Sequence, residues 1–103
     1  MIVAFSVSPA GAADGEANGG VSEAVARAVR VVRESGLPNR TSSMFTEIEG
    51  EWDEVMAVVK RAVDAAGEGA ARVGLVLKAD IRPGYTGQLD AKVERVEHHL
   101  RAE

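Results

Sequence analysis

The spacing of apolar residues changes period several times along the chain, and each change marks an element. Ile2 to Val7 is rich in β-branched and aromatic side chains and is closed by Pro9-Ala10-Gly11, which predicts a strand. Ile2 and Ala4 fall on one face of it, and Val3, Phe5 and Val7 on the other. A strand apolar on both sides is central, or its outer face meets a partner. Gly11 to Gly20 reads as a surface loop with four glycines and two acids. Ser22 then caps a helix with the stripe Val25, Val29, Val32, ended by Gly36 and Pro38. Asn39 to Ser43 and Phe45 to Glu49 carry no helical stripe and predict two short strands, joined tightly or through a bulge. Trp52, Val55, Met56, Val59, Val63 and Ala66 give a second amphipathic helix. Val73 to Ile81 alternates as a strand should, with Val73, Leu75, Leu77, Ala79 and Ile81 on one face. Leu89, Val93, Val96 and Leu100 mark a last helix.

The order β-α-β-β-α-β followed by α predicts an α+β, ferredoxin-like sandwich with an additional C-terminal helix. Two helices then cover one face of a four-stranded antiparallel sheet. The other face keeps apolar groups, which predicts a homo-oligomer built through it, with the third helix helping to cover it.

Composition narrows what such a domain does. At 103 residues, 1–103 reads as one domain, burying roughly two thirds of its unfolded surface. With no cysteine, disulfides, thiolate metal sites and cysteine nucleophiles are excluded. A formal charge of −4 and 4% aromatic residues argue against nucleic acid as a partner. The opening residues lack a basic leader, and their apolar run is far below the ~20 residues of a membrane span, so a cytoplasmic location off the membrane is expected.

Little of the polar inventory has the grammar of a reaction. The glycine-rich loop has no lysine and no Walker pattern. His98 and His99, adjacent on a helix, point about 100° apart and cannot chelate one ion well, so no metal is expected. No serine or threonine stands in a nucleophile elbow. The carboxylates are more informative. Glu47 and Glu49 share a strand face, and Asp80 lies between Lys78 and Arg82 near the end of another strand. They form either a rim of ion pairs, Lys78, Asp80 and Arg82 with Glu47 or Glu49, or an acidic cleft for a nitrogen-rich small molecule; spacing leaves both open.

Ser35-Gly36-Leu37, Met44-Phe45-Thr46-Glu47-Ile48-Glu49-Gly50 and Lys78-Ala79-Asp80-Ile81-Arg82, with the first strand ending in Ser8-Pro9, resemble the small thiamine-binding, YkoF-related protein family over nearly the whole chain. The resemblance implies a ferredoxin-like subunit assembling as dimers and tetramers through its sheets. It also implies recognition of thiamine through its aminopyrimidine ring, in vitamin salvage, transport or handling, with no catalysis and no cofactor. Thr46 and Glu49 match the motif best, Asp80 matches in the last strand, and Ser8 matches more loosely. Phe45 stands where the family has glycine, and Pro38-Asn39-Arg40 lacks the usual aromatic, so Phe45 becomes the candidate aromatic wall. A carboxylate and a hydroxyl, Glu49 and Thr46, suit the aminopyrimidine edge. Two other classes stay open: a structural or regulatory oligomerisation module, and a small ferredoxin-like oxygenase acting in a buried apolar cavity. Against the latter, Trp52 reads as core.

Overall fold

The computed structural model describes residues 1–11 and 22–102, so most of the glycine-rich stretch lies outside the described residues. Its elements are β1 (Ile2–Ala10), α1 (Ser22–Glu34), β2 (Asn39–Thr41), β3 (Thr46–Glu49), α2 (Trp52–Ala66), β4 (Arg72–Asp80) and α3 (Gln88–Ala102). The strands form one antiparallel sheet in the order β2-β3-β1-β4. This is the ferredoxin-like α+β sandwich with an extra C-terminal helix.

Register follows from the alternation of β1. Val3, Phe5 and Val7 bury on one face beside Ile48 of β3, and α1 and α2 close over them with Ala28, Val32, Val55, Val59 and Ala62. Ile2, Ala4, Ser6 and Ser8 point to the opposite face, with Glu47, Glu49, Lys78 and Asp80 as register neighbours of Ile2 and Ala4. The start of α3 lies against that second face.

Several expectations shift. β1 runs three residues beyond Val7, through Pro9. Proline is tolerated there because β3 pairs with β1 only from Ile2 to Phe5, which leaves Pro9 paired on the β4 side alone. The buried stripe of α1 is Ala24, Ala28, Val32, whereas Val25 and Val29 are half-buried. Alanines let the helix approach closely, and the valines fall to its flank. Trp52, expected in the core, is the first residue of α2 and 53% exposed; burial starts one turn later at Val55. On α3 only Leu89 is buried, and Val93, Val96 and Leu100 remain open.

Close backbone packing fixes the exit of α2. A Cβ at Gly67 would lie 2.7 Å from Val73 Cγ2, so β4 is brought against the helix end by the lack of a side chain. Arg27 of α1 donates from Nε to the carbonyl of Ala65 at 2.9 Å and from a guanidinium nitrogen to that of Ala66 at 3.5 Å. It thereby serves the orphan carbonyls at the C-terminus of α2, whose own last turn has no basic residue.

Candidate functional site

The five sequence candidates separate into three places. In β3, Thr46 and Glu49 are three residues apart and therefore face opposite sides of the sheet. Thr46 points to the helix side and is buried. With Phe45, Phe5, Val25, Ser42 and Met44 it borders a cavity of about 130 Å³ between α1 and the β2–β3 turn. The walls are mostly apolar, with the hydroxyl-bearing residues Thr41, Ser42, Ser43 and Thr46 among the lining; among the described residues no charged side chain borders it. The turn is held by Ser42, whose amide and hydroxyl both donate to the carbonyl of Phe45.

Glu49 and Asp80 lie on the other face, each opposite Ile2 from its own side of β1. They border a narrow cavity of about 50 Å³ with Tyr85, Arg82 and Gln88. Beside it a larger cleft of about 220 Å³ opens between the sheet and α3, with Ile2, Ala4 and Leu89 as apolar floor and Glu47, Lys78 and Asp80 at its edges. Ser8 stands apart from both regions, exposed far along β1 opposite Gly74.

What these carboxylates touch differs from a rim of ion pairs among strand residues. Glu49 is 5% exposed and accepts two backbone amides of α3, Gln88 N–H at 2.8 Å on Oε2 and Leu89 N–H at 3.1 Å on Oε1. It is thus the N-terminal cap of a helix that begins 39 residues later in the chain. The negative group also meets the positive end of the helix dipole. Asp80 accepts from Lys92 of α3 instead of pairing within the sheet. The hydrogen bond and charge of Lys92 hold the Asp80 carboxyl below the ordinary aspartate range; partial desolvation opposes this, and Arg82 and the amino terminus add to the lowering. The Arg82 guanidinium lies 3.5 Å from the centroid of the Tyr85 ring. A third tie joins Arg40 of β2 to Asp90 at 2.7 Å. Sequence reasoning missed Lys92, Asp90 and the capping role of Glu49, because each depends on where α3 crosses the sheet.

Comparison with known proteins places this arrangement. Residues 3–97 match the family model described as thiamine-binding protein. The chain belongs to that family. A relative from Mycobacterium bovis, UPF0045 protein Mb1933, is 54% identical over 101 residues, covering 97% of this chain and 94% of the relative. Among solved structures, a domain of unknown function, DUF77, from Bacillus cereus superposes with a TM-score of 0.78 at 35% identity, covering 89% of this chain and 85% of that one. A Thermotoga maritima protein proposed to serve thiamine biosynthesis or salvage gives a TM-score of 0.71 at 26% identity, covering 90% and 96%. This member of the thiamine-binding family has, among its described residues, no helix long and apolar enough to cross a membrane.

Proposed function

We propose that the protein binds thiamine, or the aminopyrimidine half of it, without turning it over, and that the ring sits in the cavity beside Phe45 and Thr46. The observation that carries this reading is the meeting of those two residues on one apolar-walled cavity of about 130 Å³ in a chain of the thiamine-binding family. A concave apolar site with a few placed polar groups is the usual form of a small-molecule pocket. The aminopyrimidine edge offers an amino donor beside a ring-nitrogen acceptor. Hydroxyls both donate and accept, so Thr46 with Ser42 or Ser43 satisfies both without a buried charge. Phe45 supplies the aromatic wall, a contact worth about 0.5–1.5 kcal/mol beyond area alone. The cationic thiazolium then faces outward on a protein of net charge −4.

Calorimetric titration tests the placement. Thiamine and its pyrimidine alcohol should both bind, and Thr46→Val, which keeps shape and removes the hydroxyl, should weaken them about tenfold, the scale of one lost hydrogen bond. Unchanged affinity removes Thr46 from the site. A second reading puts the ligand in the cleft beneath α3, favoured by Asp80 and Glu49 lying there together. In that case Asp80→Asn weakens binding and Thr46→Val does not.

A further inference from the structure

We infer that the protein takes the phosphate monoester of thiamine in preference to the free vitamin, with Arg33 of α1 holding the phosphoryl group at the mouth of the cavity beside Phe45 and Thr46. The inference rests on the ring placement proposed above and extends it outward from the aminopyrimidine. Along α1, Val25, Val29 and Arg33 follow at i, i+4 and i+8, so they share one side of the helix. The two valines line the cavity, and Arg33 continues their row one turn, about 6 Å, past Val29. Its guanidinium turns back to the cavity, where one nitrogen donates to the hydroxyl of Thr41 at 3.3 Å. Thr41 is a lining residue and the cross-strand partner of Thr46 in the β2–β3 pair. A single hydroxyl therefore separates the charge from the residue assigned to the ring.

A groove along the outer side of α1 shares Val25 and Val29 with the cavity, and its charged walls are Arg30, Arg33 and Glu34. Two cations thus stand there against one carboxylate. Arg30 and Arg33 are three residues apart and so neighbours on the helix surface, where like charges repel. Among the described residues neither has an ion pair, whereas Arg27, Arg40 and Lys92 each meet a carboxylate. A guanidinium carries five N–H donors, and Thr41 engages one nitrogen of Arg33. The rest of the fork fits two phosphate oxygens. With the pyrimidine inside the cavity and the thiazolium facing outward, the esterified hydroxyethyl arm is the end of the ligand furthest from Phe45, where the groove begins. Both arginines are exposed, so water and salt weaken the contact, and the consequence is a preference, not an absolute requirement. This side of the sheet is opposite the face that α3 crosses, so a second copy seated on that face leaves the groove open.

Calorimetric titration of the full chain with thiamine and with thiamine monophosphate, at low and at high sodium chloride, tests this. At low salt the ester should bind about tenfold tighter, and salt should narrow the ratio. Arg33→Gln should bring the ratio of the two affinities close to one, and Arg33→Lys, which keeps a cation without the fork, should leave it between. Inorganic phosphate alone should bind far more weakly than the ester, because the arginine adds to the cavity and does not replace it. A ratio that neither salt nor R33Q alters overturns the proposal, as does phosphate alone binding as tightly as the ester. Should R33Q not fold, the salt dependence of the wild-type ratio decides alone. Thiamine bound as tightly as its ester removes this inference and leaves the ring placement standing; failure of both ligands to bind removes the two together.

Discussion

Asp80 shows at the scale of one residue how α3 changes the chemistry of the sheet. Its carboxyl is held below the ordinary range chiefly by Lys92, so the folded chain favours the ionised form more than the unfolded chain does. A lowered native pKa contributes stability that is fully present above the unfolded value of about 3.9 and is lost as pH falls through the native midpoint. Carbon-13 titration of the Asp80 carboxyl should give a midpoint below that of a free aspartate, and Lys92→Met should raise it. A midpoint indifferent to Lys92 would mean that the pair does not persist in solution. The same residues show what the sequence can and cannot carry. That Thr46 and Glu49 face opposite ways follows from a period of two and was open to reading; a shared ligand edge for that pair is incompatible with it. That Glu49 meets amides 39 residues away was closed to reading, because no local pattern announces a helix capped by a distant strand.

At the scale of elements, packing distance decides what the apolar pattern leaves open. The stripe Val25, Val29, Val32 locates α1, but the face that buries is Ala24, Ala28, Val32, because small residues allow the helix to sit close and size alone does not report approach. Phe45 and Thr46 border the cavity with the displaced Val25 and Val29, so the rotation of α1 also shapes the pocket. The contact between α1 and α2 has a polar lock in Arg27, which donates to the carbonyls of Ala65 and Ala66. Its side chain is 33% exposed, so solvent screens part of the gain. Arg27→Ala should cost about 1 kcal/mol, below the roughly 1.5–3 kcal/mol of an unscreened charge-assisted bond. For a domain of this size that lowers Tm by roughly 4–8 °C. Arg27→Lys should fall between, since an ammonium keeps the charge near the helix end and loses the fork. A melting curve identical to wild type for both variants would show that water serves those carbonyls as well.

For the whole molecule the unfinished surface is the face that α3 crosses. The helices α1 and α2 complete one side of the sheet, whereas the other keeps Val76 at 61% exposure and the α3 stripe Val93, Val96 and Leu100 in solvent. The molecule is elongated, 52 × 32 × 20 Å, so this stripe is presented along a long surface that offers area for association. Exposed apolar residues in a row are costly on a monomer and are the usual mark of an interface. A second copy is the occupant we expect, since a two-fold pairing lets one stripe cover its equivalent and needs no other partner. A specific interface buries at least about 1,000 Å² in total, and α3 alone is too small to supply it, so the sheet residues beside it must take part. Sedimentation equilibrium should therefore show dimers or larger species at micromolar concentration. Val96→Glu, at a helix position 58% exposed, should dissociate them while leaving amide hydrogen exchange in β1 and α2 as in the wild type. Because Val96 lies outside the core between α1, α2 and the sheet, dissociation with unchanged exchange in β1 and α2 reports the interface and not the fold. A wild-type chain that sediments as a monomer at tens of micromolar would leave the stripe without a second copy to cover it.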